Sequence, residues 1–388
     1  MRWLCTLVGL FLAMGNPSLT RGQYPPVPTS EELVKYILKY QQTPEDYIIS
    51  KFTDHDVVFL GEFHRIRHDV ELVQGLIPVC YKNGIRVLAL EFANRKDQPL
   101  IDSLLSLPSY DESIARLVAS RSAVEWAYQE YLDIYKAAWA LNSQLPRDAP
   151  RFRIVAVNCA GDWSIIRTRQ DQENDSLRRL VWERCPGGEK EMAYVILKQA
   201  WKGEKVLVYS GIHHAFTRYI QPIVNQEGNF TDFNPDERMA RYVYLRLGPR
   251  AFTVFLHSAW YAARWERGFL KPVNGVIDSV MATLGDKFTP VGFDVKESPF
   301  GLLPDSASLY QAGYADFRLQ DFCDGYIYQR PFKQYEVVRF VEDFINPSNI
   351  SEFREQAGDP WFRDKTLEEC KSSLKRQLER ELQIYKGL

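Results

Sequence analysis

The sequence predicts an α/β fold: a mainly parallel sheet flanked by helices, with helical insertions and a helix at the C-terminus. Three observations carry this expectation. Short apolar or β-branched runs recur along the chain, and long stretches of helical period separate them. The runs are continuous rather than alternating, which suits strands buried on both faces, and the intervening helices suit right-handed crossovers.

In chain order, Arg2 precedes the apolar run Trp3 to Met14 and then Gly15, Asn16, Pro17 and Ser18. This is the charged head, short greasy stretch and small-residue exit of a secretory signal spanning residues 1–22, cut after Gly15 or Gly22. The run of twelve residues is too short to cross a bilayer as a helix. Export is therefore expected, to a periplasm, the extracellular space or a secretory pathway, with no stable membrane span. A lipid anchor would need a cysteine just after the greasy stretch, whereas Cys5 lies inside it.

Residues 30–345 form the expected α/β domain and 346–388 a helical extension. Strands are expected at Val57 to Leu60, Val87 to Leu90, Ile154 to Val157, Val206 to Tyr209, Phe252 to Leu256 and, more weakly, Tyr326 to Tyr328. Helices are expected at Asp69 to Lys82, Asp111 to Asn142, Ser164 to Arg184 and Glu189 to Trp201. Gly and Pro punctuate Ser258 to Asp305, which reads as an insertion with a short helix and an added strand. Leu367, Cys370, Leu374, Leu378, Leu382 and Tyr385 share one helical stripe, that of a terminal helix docked on the domain. A dimerising coiled coil would need more heptads.

Across the 388 residues, 48 Lys and Arg face 50 Asp and Glu, a formal charge of -2 that gives no reason to expect a nucleic-acid partner. Beyond Cys5, the thiols Cys80, Cys159, Cys185, Cys323 and Cys370 make no C-x-x-C pair and no zinc-knuckle spacing. One or two disulfides are compatible with export, and most of the thiols sit among apolar neighbours as small core residues do.

Ligands of open parallel sheets bind beyond the carboxyl ends of the strands. There the chain places Glu62 and His64 after the first run, Glu91 after the second and Asn158 after the third. His213 and His214 follow the fourth run, and His257 the fifth. Four of the six histidines thus lie just past a strand end, with His68 one helical turn from His64. Singly, each residue has a plainer use as a helix cap or a satisfied structural group. Together, two carboxylates and two or three imidazoles can coordinate a divalent metal ion through Glu62, His64 and His214, with His213 as a further ligand. They can equally form a metal-free acid/base cluster of Glu62, His64, Glu91 and His214. His68, Asn158 and His257 are additional candidates.

His64 and His68 have the spacing of a helical metal pair, but Arg65 stands where H-E-x-x-H needs Glu. No G-x-S-x-G elbow, P-loop or dinucleotide glycine fingerprint is present, which excludes the chemistry those motifs carry. Tyr128, Tyr131, Tyr135 and Trp139 recur at helical spacing, a stripe that is usually core and otherwise a pocket wall or a tyrosinate ligand to haem iron.

These residues resemble the family that joins ChaN-type haem-uptake proteins, Tiki-type proteases and erythromycin esterases. Val57 to His64, followed by His68 and Gln74, resembles the opening G-E-x-H signature of the ChaN-like branch. Ala89-Leu90-Glu91-Phe92, with Gln98 and Asp102, is similar to the second strand and its trailing helix. Gly211 to Ala215 resembles the G-x-x-H-A motif, which carries the family histidine to His214 and leaves His213 as an extra; Asp324 to Tyr328 resembles the closing strand. Esterase members space the first pair as E-x-x-H, and ChaN-type proteins are often lipid-anchored, so the match is to the ChaN spacing without its anchor. The resemblance implies a Glu and His site used for haem binding in one branch and for ester or peptide hydrolysis in others.

Hydrolysis of a carbonyl ester or amide, in a small-molecule or peptide substrate, is the leading expectation, because the cluster offers base, acid and metal ligands but no obvious Ser or Cys nucleophile. The alternative is a haem or iron carrier or sensor without turnover, binding one haem per chain or per homodimer.

Overall fold

A computed structural model describes residues 25–122, 128–159, 161–183, 188–234, 237–356 and 362–388. The expected leader falls outside them, as does Cys185. The described residues open with two helices, α1 (Ser30–Tyr40) and α2 (Pro44–Lys51), capped by Thr29 and Thr43. The sheet begins with β1 (Val57–Glu62), α3 (Arg67–Lys82) and β2 (Val87–Asn94), followed by α4 (Gln98–Leu104), α5 (Glu112–Ser122) and α6 (Gln129–Gln144). Next come β3 (Arg153–Asn158), α7 (Arg169–Glu173), α8 (Asp175–Glu183), α9 (Gly188–Ala200) and β4 (Val206–Gly211). A hairpin of β5 (Pro222–Val224) and β6 (Phe230–Phe233) precedes α10 (Met239–Leu247) and β7 (Ala251–Leu256). The insertion holds the hairpin β8 (Trp260–Tyr261) and β9 (Phe269–Leu270), then α11 (Val276–Leu284) and β10 (Val291–Asp294). The chain closes with α12 (Leu319–Phe322), β11 (Gly325–Tyr328), α13 (Ile350–Gln356) and α14 (Leu367–Lys386).

Seven strands make the main sheet in the order β10-β11-β7-β1-β4-β2-β3. Every pairing is parallel except β10 with β11, so the insertion supplies the antiparallel edge. All six expected strands are present.

Two sequence expectations need correction. Of the stretch from Asp111 to Asn142, the described residues form α5 and α6, and Tyr128 just before α6 is extended and bridges to Phe340, so helix does not continue through it. The stretch from Ser164 to Arg184 is divided at Asn174, whose backbone is extended and whose side chain accepts from the amides of Ser176 and Leu177, starting α8 afresh. The sequence reading also passed over α1, α2 and α10, whose apolar stripes are short.

The pleat sends successive side chains to opposite faces, each with its own core. On one face Val58, Leu60, Leu88, Leu90, Leu207 and Tyr209 pack with α3, α5, α6 and α14. On the other Val57, Phe59, Val87, Ala89, Val206 and Val208 pack with α1, α9, α10 and α11. β1 leads into α3 on the first face and its neighbour β4 leads toward α10 on the second, so the chain departs in opposite directions from adjacent strands. That is the switch-point geometry that opens a crevice at the carboxyl edge. Among the described residues, no helix is long and apolar enough to cross a membrane.

Candidate functional site

The parity of the pleat decides where the two strand-end carboxylates go. Glu62 continues the series Val58, Leu60 and lies under α6; Glu91 continues Val87, Ala89 and faces α9 and α10. The pair therefore serves two different sets of partners.

Glu62 is 1% exposed and accepts three hydrogen bonds. The Tyr131 hydroxyl donates to Oε1 at 2.7 Å, His64 Nδ1 lies 2.8 Å from the same oxygen, and the Tyr209 hydroxyl donates to Oε2. Burying a carboxylate without such donors would be costly, and here they are supplied by α6 and by the neighbouring strand β4. With Nδ1–H given to Glu62, the tautomer assigned to neutral His64 leaves Nε2 as its basic nitrogen. The side chain of His64 is 33% exposed, so a buried carboxylate holds an accessible imidazole. Burial disfavours charge on that ring, but the hydrogen bond and charge of Glu62, with the charge of Glu91, outweigh it and raise the His64 pKa above 6.5.

Gly211 makes room for this ring. A Cβ there would stand 2.6 Å from His64 Cε1, 3.0 Å from Nε2 and 3.5 Å from Glu91 Oε2. The Gly211 amide donates to Glu91 Oε2 at 2.6 Å, which ties the end of β4 to β2. The other Glu91 oxygen lies 3.1 Å from His214 Nε2, and His214 Nδ1 lies 2.9 Å from Glu189 Oε2 on α9. Glu189 also accepts from the Met239 amide and from Arg238. His214 is thus clamped between two carboxylates: burial works against its charge, but Glu91 and Glu189 push its pKa up to about 10. Burial likewise works against the charge of Glu91, and His214, with help from His64 and the Gly211 amide, holds it down at about 2. At neutral pH this is an imidazolium between carboxylates.

Of the other candidates, His213 lies 3.2 Å from the Tyr310 hydroxyl, and burial with the charges of Arg238, His214 and His64 lowers its pKa to about 3. Asn158 turns its side-chain oxygen to the Cys159 amide at the end of β3. Cys159 is disulfide-bonded, while Cys80, Cys323 and Cys370 are buried free thiols, as small core residues would be.

His68 and His64 do not form a helical pair. α3 starts at Arg67, so His64 is in the preceding loop, and His68 is buried edge-on against Tyr335 with their ring centroids 4.5 Å apart. His257 stacks on Phe332 at 4.4 Å between ring centroids and meets the Tyr326 hydroxyl through Nδ1 at 2.9 Å.

The donor set does not fit a metal ion. The oxygens of Glu62 are turned to hydroxyls and an imidazole, and both nitrogens of His214 to carboxylates, so Glu62, His64, His214 and His213 present no common point. Among the described residues, no group of three or more His, Cys, Asp or Glu is arranged to hold one. The tyrosine stripe is also turned inward. Burial and Glu62 raise the Tyr131 pKa well above its usual value, and its hydroxyl is committed to Glu62, which leaves it unsuited to act as a tyrosinate ligand.

Sequence reasoning missed Tyr209, Glu189 and Arg238, and gave Tyr131 no polar partner. The signal for Tyr209 was its place in β4, one pleat-parity step from Gly211; for Glu189 and Arg238, which act across helices, the sequence held no signal.

No protein-family model matches the chain, and no curated protein matches it in sequence. Among solved structures, a succinoglycan biosynthesis protein superposes with TM-score 0.52 at 9% identity, over 81% of this chain and 99% of that one. A protein from Bacillus cereus superposes with TM-score 0.48 at 12% identity, over 78% and 97% of the two chains. ChaN of Campylobacter jejuni, which binds heme cofacially, superposes with TM-score 0.36 at 14% identity, over 57% and 88%. What the first of these shares with this chain is the fold.

Proposed function

We propose that the protein is a metal-independent hydrolase of carbonyl esters or amides, with His64 as general base and acid. One observation carries this: an accessible imidazole is hydrogen-bonded through Nδ1 to a carboxylate that two tyrosines hold in place. In the attack step His64 Nε2 takes a proton from water as the water oxygen bonds to the carbonyl carbon. As the tetrahedral species collapses, the same nitrogen returns the proton to the leaving oxygen or nitrogen. Glu62 fixes the ring and stabilises the imidazolium formed between the two steps. Glu91 and His214 serve as a fixed ion pair that sets the field beneath His64 and anchors Gly211.

The reading is tested on panels of esters and peptides, with and without chelator. Turnover should survive chelation, and Glu62→Gln and His64→Ala should each lower kcat by about 100-fold or more in folded protein. Full activity in either variant removes the assignment.

The haem-carrier reading shares the partly exposed His64. Its support is the ChaN-type Glu62-x-His64 spacing, and optical titration with haem separates it from hydrolysis.

A further inference from the structure

The helix that ends the chain docks on the loop that carries His64. α14 begins in a capping box of Thr366 and Glu369 and buries Cys370, Leu374, Leu378, Glu381 and Tyr385 along one stripe. Cys370, Leu374 and Leu378 enter the core shared with α3 and α6. Tyr385 instead packs with Ile66, Phe332 and Tyr335, and with Phe63 at 6.3 Å, so it touches both flanks of the His64 loop.

One turn before Tyr385, Glu381 takes the Arg65 guanidinium in a buried ion pair. One turn earlier again, the Gln377 amide oxygen, once turned toward that guanidinium, accepts from Nη2 at 2.8 Å and Nη1 at 3.2 Å. Arg65 is the residue after His64, and its φ of 71° lies in the left-handed region, which a residue with a Cβ occupies only when its surroundings hold it there. Its amide donates to the Tyr131 hydroxyl at 3.0 Å, and its carbonyl accepts from the Val338 amide at 3.0 Å. That same Tyr131 hydroxyl donates to Glu62. The conformation of Arg65 and the donors on Glu62 are therefore parts of one connected network.

A buried ion pair adds little net stability where apolar side chains could fill the space, and α14 already has an apolar stripe with which to dock. What the pair adds is a defined position for Arg65. We propose that α14 is a positioning element of the site: Glu381 and Gln377 hold Arg65 in its left-handed conformation, and thereby hold His64 on Glu62. The proposal rests on the acid/base reading above. It makes α14 a point of control, because any event that lifts α14 detunes His64 while leaving Glu62, Glu91 and His214 chemically intact.

The test uses the full chain and the variant Glu381→Gln. Three quantities are read: kcat and KM on the best ester or amide, and the titration midpoint of His64 by NMR of its ring protons. The charged groups acting on that ring are Glu62, Glu91 and Arg65, and His213, whose pKa is lowered to about 3, is a neutral titratable neighbour. Removing Glu381 leaves the Arg65 cation less compensated, so the His64 midpoint should fall by about half a unit or more. kcat should fall about tenfold with KM within about twofold, as expected for a misplaced base. Glu381→Asp should recover part of both effects, and adding Arg65→Gln to Glu381→Gln should return the midpoint without restoring kcat.

Leu374→Ala serves as the control: it weakens helix docking away from the loop and should lower Tm while leaving the His64 midpoint in place. If Glu381→Gln does not fold, Gln377→Ala is measured in its place and should shift the midpoint in the same direction. A midpoint and kcat unchanged by Glu381→Gln, or equally changed by Leu374→Ala, overturns the proposal. If the native protein turns over no substrate, the hydrolase reading fails by itself, and the NMR titration still decides whether α14 positions His64.

Discussion

His214 Nε2 lies 3.1 Å from Glu91 Oε1, which joins the turn after β4 to β2 by a charged contact that Glu189 completes from the other side of the ring. The contact is largely shielded from solvent, and it ties the pH dependence of stability to the geometry beneath His64.

That dependence has a definite sign. His214 has its pKa raised from 6.5 to about 10, so its contribution is complete below 6.5 and is lost as pH rises toward 10. Glu91 has its pKa lowered from 4.5 to about 2, so its contribution is complete above 4.5 and is lost as pH falls toward 2. Stability from this pair should therefore be greatest between those ordinary values and decline on both sides. Replacing His214 by Gln should cost about 3 kcal/mol near pH 6, since it leaves two carboxylates without their shared cation, and less at either extreme. Urea unfolding of the two proteins from pH 3 to 10 checks this; parallel curves would exclude the coupling.

The catalytic pH profile should have its acid limb above 6.5, because His64 must be neutral to accept a proton and Glu62 favours the imidazolium. Glu62→Gln should move that limb to lower pH as well as lowering the plateau. Added divalent metal should leave the limb where it is, whereas a metal-bound site would show it moving to lower pH as metal competes with the proton. A profile flat from about pH 5 to 9 would mean that no histidine in this group transfers the proton.

Gly211→Ala probes the close approach of His64 to β4. The φ of Gly211 is -56°, which any residue adopts, so the substitution acts through its methyl group alone. That methyl would stand 2.6 Å from His64 Cε1, so the ring must move from its place above Glu91. The expected result is a folded protein destabilised by about 1–3 kcal/mol, with kcat lowered by more than about tenfold. Undiminished kcat would show that the ring's position on Gly211 is unimportant.

Tyr209→Phe removes one donor from buried Glu62 and leaves the ring packing intact. Loss of a hydrogen bond to a buried carboxylate should cost about 1–3 kcal/mol in thermal or urea unfolding. A cost near zero would place the Glu62 charge elsewhere than on the oxygen that Tyr209 contacts.

Haem titration separates the carrier reading. With Tyr131 committed to Glu62, no tyrosinate-type spectrum is expected. A saturable Soret shift that disappears in His64→Ala would favour the carrier over the hydrolase, and its absence alongside ester turnover would favour the reverse.

The strands, and the strand-end residues that make the candidate site, were legible in the sequence because buried parallel strands are written as continuous apolar runs, and the first polar residues after each run fall at one sheet edge. Glu62, His64, Glu91 and His214 were all located this way. Their grouping was not. The sequence treats Glu62 and Glu91 as equivalent strand-end carboxylates, whereas alternate pleating turns Glu62 toward Tyr131 and Tyr209, and Glu91 toward Gly211, His214 and Glu189. Whether four donors converge on a metal or pair off with one another depends on side-chain direction, which spacing along the chain does not record. The role of the last helix was hidden for a related reason. Its apolar stripe predicted that α14 docks, and that much follows from periodicity; that Glu381 meets Arg65, 316 residues away in sequence, is decided only when the packed helix and the loop after β1 occupy neighbouring space.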